Sequence, residues 1–159
     1  MVEYKDLFNG YSPTGQMQKW ETMKMIEKSK EWPENLGVGK LYEFDTRMQD
    51  YLLIYCLKKL NRAGETAVLQ NSIIDYTNRY YATPSLNHIL AIRILEEKGE
   101  TKVADTFIQK MGESTQQNSV QQWVIANYKG DQAGMDNLEK EFVNHNYFMI
   151  LKKLTEIKN

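Results

Sequence analysis

The feature that most constrains this chain is a pattern it repeats: an apolar helix-like run, a glycine turn, then a second helix-like run. The clearest copy is LNHILAIRILEEKGETKVADTFIQKM, Leu86 to Met111. Looser copies run from Tyr51 to Tyr76 (YLLIYCLKKLNRAGETAVLQNSIIDY) and from Gln121 to Phe142 (QQWVIANYKGDQAGMDNLEKEF). The turn glycines read as Gly64, Gly99 and Gly130, 35 and 31 residues apart. Short connections force neighbouring helices antiparallel. A hairpin with one apolar stripe cannot bury it alone, so hairpins must stack.

Helical spacing of apolar residues extends the pattern to both sides. Ser12-Pro13 reads as a helix start, because proline suits the first helical position, and the run to Lys30 carries Met17, Trp20, Met23, Met25 and Ile26. Trp32–Phe44, WPENLGVGKLYEF, breaks the helix with Pro33, Gly37 and Gly39. Asp45 caps the next element, whose stripe is Met48, Leu52, Leu53, Cys56, Leu57 and Leu60. Three hairpins are expected over 45–79, 85–112 and 119–143, with flanking helices 13–30 and 146–157, in a single helical-repeat domain spanning 1–159. Their partner helices should bury Val68, Leu69, Ile73 and Tyr76, then Val103, Ala104, Phe107, Ile108 and Met111, then Met135, Leu138 and Phe142. The last helix, with Lys152, Lys153, Glu156 and Lys158 on its polar side, is expected as a solvent-facing cap.

Composition narrows the function classes. Lys plus Arg is 20 and Asp plus Glu is 21, a net charge of −1. Chains that track phosphate backbones carry a basic surplus, so nucleic acid is not an expected partner. Neither is a membrane: the longest apolar run, Tyr51–Leu57, is far short of the roughly 20 residues that span a bilayer. The start, MVEYKDLFNGYSPTG, lacks a basic segment followed by an apolar one, so a cytoplasmic location is expected. The single cysteine, Cys56, excludes an intramolecular disulfide.

The middle copy resembles the tetratricopeptide repeat, whose period is about 34 residues. With Gly99 as the turn, Ala91 and Leu95 fall on packing positions of the first helix. Ala104 falls on the small residue that lets the two helices approach, and Ile108 and Met111 fill the second helix. Ile92 departs from the pattern, where the family has a small residue. The first copy keeps Leu57, Leu60 and Ile73 but has Leu69 in place of the small residue. The third has Met135 there and Gln122 at an apolar position. A narrower likeness covers Glu27 to Arg62. WPENLGVG followed by a helix ending LKKLNR resembles a segment of large bacterial tetratricopeptide proteins that carry a β-rich domain of unknown function ahead of their repeats. Asn61 stands where those proteins have glycine. The resemblance implies an all-α, tetratricopeptide-like right-handed superhelix of antiparallel helix hairpins. It further implies that the chain is the C-terminal helical region of such a protein or a stand-alone relative.

Residues capable of chemistry are scattered. His88 and His145 fall in different hairpins and have no metal-ligand spacing. Cys56 lies among leucines, where a thiol behaves as a small hydrophobe. Glu43 with Asp45, Glu96 with Glu97, and Glu139 with Glu141 read as solvated faces. GVGK, Gly37–Lys40, lacks the rest of a phosphate loop. Catalytic, cofactor and metal sites are therefore all expected to be absent. The Trp32–Gly39 loop either docks on the neighbouring hairpin or presents Glu34 and Asn35 for recognition. Tyr76, Tyr80 and Tyr81 either pack or line a groove.

In the tetratricopeptide arrangement the first helix of each pair lines the concave face. That places Tyr51, Ile54 and Lys58 from one copy and Leu86, Ile89, Arg93, Glu96 and Glu97 from the next in a binding groove. Ile54 and Ile89 could equally be ordinary core. Apolar groups mixed with Tyr and Arg suit a protein or peptide segment. The expected function is protein–protein interaction or scaffolding, without catalysis. Two alternatives are a helical accessory domain contributing Glu43, Asp45 or Arg47 to a carbohydrate-active enzyme's site, and a self-associating module.

Overall fold

A computed structural model describes residues 13–31, 44–113, 118–142 and 144–156. Among them are eight α-helices, one 3-10 turn and no strand. The helices are α1 (Pro13–Ser29), α2 (Arg47–Lys59), α3 (Ala67–Tyr80), α4 (His88–Glu97), α5 (Thr101–Gly112), α6 (Ser119–Lys129), α7 (Gln132–Phe142) and α8 (Asn146–Glu156). The 3-10 turn is Ala63–Glu65. The chain divides into two compact units, residues 1–71 and 72–159, with the boundary inside α3.

Three of the helices end the same way, and the reason is local. A residue in the left-handed conformation folds the last turn back, so that two carbonyls at the helix end receive donors. Asn61, Gly99 and Gly130 take that role with φ of 58°, 73° and 69°. After α2, Arg62 N–H donates to Leu57 O at 2.8 Å and Asn61 N–H to Lys58 O at 3.1 Å. After α4, Glu100 donates to Leu95 O at 2.8 Å and Gly99 to Glu96 O at 3.0 Å. After α6, Asp131 donates to Ala126 O at 2.9 Å and Gly130 to Asn127 O at 3.3 Å. The first turn is therefore made at Asn61 and not at Gly64, which lies in the 3-10 turn. Asparagine tolerates this conformation because its short polar side chain bonds locally. The repeat spacings become 38 and 31 residues.

In residues 1–71, α1 packs on α2. Of the stripe expected on α1, Met23 and Ile26 are buried, while Trp20 and Met25 are exposed. Asp45 is not the N-cap residue of α2, a position taken by Thr46. Asp45 Oδ1 accepts from Arg47 N–H at 3.1 Å, while the carboxylate also takes the Arg47 guanidinium in a two-pronged pair at 2.9 and 2.8 Å. Asp50, nearly buried, is compensated by Lys30 Nζ at 2.9 Å and Thr46 Oγ1 at 3.0 Å. A buried carboxylate without such partners would be strongly destabilising. Val68, expected to be buried, is 80 % exposed. It lies five and nine residues before Ile73 and Thr77, the buried positions of α3, on the opposite side of a 3.6-residue helix.

In residues 72–159, α4 packs on α5, α5 on α6, α6 on α7, and α4 also on α6. Helix α5 buries Ala104, Phe107, Ile108 and Met111 as expected, whereas Val103, one position off that stripe, is exposed. Helix α4 is apolar nearly all round, and such a helix belongs inside. His88, Ile89, Leu90, Ala91, Ile92, Ile94 and Leu95 have no exposed surface. Each large side chain there contributes about 1.5–3 kcal/mol, against about 1–2 kcal/mol per residue of backbone ordering. Tertiary burial, not intrinsic propensity, therefore holds this ten-residue helix. Helix α4 begins at His88, later than expected, because Ser85 to Asn87 form a tighter i→i+3 turn.

The last helix buries one face and leaves Lys153 and Glu156 exposed on the other. Helix α8 packs against α4, and Phe148, Leu151 and Leu154 are buried. Phe148 meets Trp123 edge-on at 5.1 Å and Phe142 at 5.1 Å. Glu139 joins α6, α7 and α8, accepting from Trp123 Nε1 at 3.2 Å and from Lys152 Nζ at 2.6 Å. That pairing raises the Lys152 pKa.

Candidate interaction site

Three of the expected groove residues are core. Tyr51 and Ile54 are buried in α2, and Ile89 is fully buried in α4. Lys58, Leu86, Arg93 and Glu96 are half-buried and Glu97 is exposed. The burial of Ile89 has a direct cause: α4 is enclosed by α5, α6 and α8. Register explains Tyr51 and Ile54. Counting back from Asn61, Tyr51 matches Ile89 and Ile54 matches Ile92, both fully buried in α4. The same count pairs Tyr55 with Arg93 and Lys58 with Glu96, all half-buried.

Within residues 72–159 the accessible part of α4 is polar and belongs to a cluster. Arg93 Nη1 donates to Glu96 Oε2 at 2.6 Å, one helical turn along α4. Arg93 Nη2 donates to Asn127 Oδ1 on α6, also at 2.6 Å and 34 residues away in sequence. Arg93 Nε is buried without a hydrogen-bond partner. Beside this pair, Tyr128 O–H donates to Asp105 Oδ1 on α5 at 2.7 Å. That hydrogen bond, then burial and the charges of Asp105 and Glu96, push the phenol up to about 12. Tyr128 therefore remains a neutral donor across the ordinary pH range. One guanidinium, two carboxylates, an amide and a phenol from three helices thus form one directional hydrogen-bonding surface.

Asn127, Tyr128 and Asp105 were not expected in the site. The usable cue was the turn register: Asn127 precedes Gly130 by three residues, as Glu96 precedes Gly99. Consecutive first helices thus bring equivalent positions together, and a long Arg side chain can bridge them.

The remaining polar groups hold the fold. His88, fully buried, places Nε2 2.7 Å from Thr83 O. Gln121 Nε2 donates to Tyr81 O and Ala82 O, each at 3.4 Å, and Tyr147 O–H donates to Asn87 Oδ1 at 2.5 Å. Together these fix the connection from α3 to α4. His145 is exposed and lies edge-on to Phe142 at 6.4 Å. Burial pushes the Cys56 thiol up to about 11, so it is protonated at neutral pH and is a poor nucleophile there. Tyr76 and Tyr80 pack ring to ring at 4.7 Å, and Lys110 covers the Tyr81 ring at 5.5 Å.

The Arg47 guanidinium is clamped by Asp45 and is 2 % exposed. Glu43 and the Trp32–Gly39 loop lie outside the described residues. Among the described residues no His, Cys, Asp and Glu side chains gather as a metal site, and no helix is long and apolar enough to cross a membrane. Comparison of the chain with protein-family models, curated proteins and solved structures gives no match.

Proposed function

We propose that this chain is a protein–protein interaction or scaffolding module, a tetratricopeptide-like array of degenerate helix hairpins with no catalysis of its own. The observation that carries this reading is the Arg93 bridge between α4 and α6, which makes consecutive first helices display one polar face. The packing order α4–α5–α6–α7, with α4 also on α6, is the neighbour order of a stacked hairpin array. The repeated left-handed turn at Asn61, Gly99 and Gly130 supports it from the backbone.

The site suits an extended peptide or a protein segment. Glu96, Asp105 and Asn127 offer acceptors, and Arg93 and Tyr128 offer donors. Arg93 Nη1 and Nη2 are held by Glu96 and Asn127, so the guanidinium is fixed in place before a partner's carbonyl or carboxylate arrives. A preformed face of this kind needs little ordering on binding.

The test is partner capture with a photo-crosslinking residue at exposed position 97, comparing wild type with Arg93→Glu. The reading expects a defined protein to be crosslinked in the wild type and lost in Arg93→Glu, with unchanged helicity by circular dichroism. Identical crosslinks in both proteins contradict it.

A further inference from the structure

In a stacked array each first helix stands on the first helix before it, as α6 does on α4. Helix α8, the next in line, reaches back to α4. Tyr147 O–H donates to Oδ1 of Asn87, the residue before α4, at 2.5 Å. Phe148 lies against Trp123 of α6 and Phe142 of α7, each at 5.1 Å between ring centroids. Helix α8 therefore bridges two consecutive first helices instead of only extending their row. Its pattern is that of an amphipathic helix held in a groove, which uses apolar anchors about one turn apart. Phe148, Leu151 and Leu154 are at most 2 % exposed, while Tyr147, Met149 and Lys153 are exposed. An eleven-residue helix is not stable alone in water, so α8 is ordered by this seat. Two side-chain bonds pin it there: Tyr147 to Asn87, and Lys152 Nζ to Glu139 Oε2 at 2.6 Å.

We propose that α8 is the built-in occupant of a helix-binding seat made by α4, α6 and α7, and that an amphipathic helix of a partner protein takes its place. The inference stands apart from the reading of the Arg93 cluster and does not depend on it. The chemistry of the occupant is written in α8: large apolar residues at three positions spaced by three, and a tyrosine before the first of them to reach Asn87. Exchange of one such helix for another keeps the seat covered, so the core of residues 72–159 is not opened to water. The tether sets the terms of the competition. A covalently attached helix acts at an effective concentration on the order of 1 mM, and a competitor binds only the fraction of chains whose own α8 is released. Loosening α8 without altering the seat therefore tightens partner binding by the same factor.

The experiment titrates a fluorescein-labelled peptide with the sequence of residues 144–156 against the intact chain, read by anisotropy. Tyr147→Phe in the chain removes the bond from its own α8 to Asn87, while the peptide keeps its tyrosine and makes that bond. The affinity is expected to rise about twofold to tenfold over wild type, the weight of one hydrogen bond. Asn87→Ala removes the acceptor from α8 and peptide alike, so the affinity stays at the wild-type level. The peptide carrying Leu151→Asp does not bind. Circular dichroism checks that each variant is folded. Hydrogen exchange on the wild-type chain reads the same event without mutation: excess peptide speeds exchange in residues 146–156 and leaves α4 protected. Three results overturn the proposal: equal affinity of Tyr147→Phe and wild type, exchange in α8 that the peptide leaves unchanged, or a dimer that exchanges α8 between copies, which gives the seat to a second copy of the chain.

Discussion

Two glycine-to-alanine substitutions locate the first turn of the repeat and have opposite expected signs. Gly99 holds φ at +73° with open space around the position of an added Cβ. Gly99→Ala therefore meets no clash, and its cost is backbone alone. A non-glycine residue in the left-handed region costs about 1–2 kcal/mol. The added side chain also restricts the unfolded chain, which returns about 0.4–1 kcal/mol. The net expectation is a loss of about 1 kcal/mol. Gly64 likewise has open space around it but lies in the 3-10 turn without a positive φ. For Gly64→Ala only the unfolded-state effect remains, a gain of about 0.4–1 kcal/mol. Urea unfolding followed by circular dichroism at 222 nm, a standard helical wavelength, separates the two, with slopes compared to detect changes in the unfolded state. A Gly64→Ala loss as large as that of Gly99→Ala would refute the register and return the first turn to Gly64.

Two further outcomes follow from the packing and from burial. Phe148→Ala removes a ring that is 1 % exposed and sandwiched by Trp123 and Phe142; the expected loss is about 3–5 kcal/mol, seen by calorimetry as a lower unfolding temperature. The Cys56 thiol, raised from 9.0 to about 11 by burial, favours the folded state while it is neutral. That contribution is complete below pH 9 and is lost as pH rises through 11, so stability falls across this window. Thiol labelling at neutral pH should be slow in the native chain and fast in denaturant.

Helix identity was legible because apolar periodicity is a local signal. α6 begins at the expected residue 119 and ends at the expected turn glycine, Gly130, and α5 buries its expected stripe apart from Val103. The first turn was misplaced because glycine is the usual left-handed residue and Gly64 stood close by, while Asn61 can adopt the same φ. That slip of three residues carried Ile54 onto the supposed groove, whereas Tyr51 aligns with an expected groove residue in either register, Ile89 when counted from Asn61. Ile89 was misplaced for a different reason. Its burial depends on α8 returning to α4, a contact between residues far apart in sequence that no local pattern encodes. Arg93 and Glu96, half-buried charged residues on an otherwise apolar helix, were named among the groove residues from the tetratricopeptide arrangement. Asn127 and Asp105 were not, since a polar residue on a polar helix face carries no mark of the partner that reaches it.

The central claim is that consecutive first helices stand side by side and share one polar face through Arg93 and Asn127. A double-mutant cycle on Arg93→Met and Asn127→Ala measures that directly by urea unfolding. The 2.6 Å charge-assisted bond between them predicts a coupling of about 1 kcal/mol. Losses that simply add, to within about 0.3–0.5 kcal/mol, would contradict it.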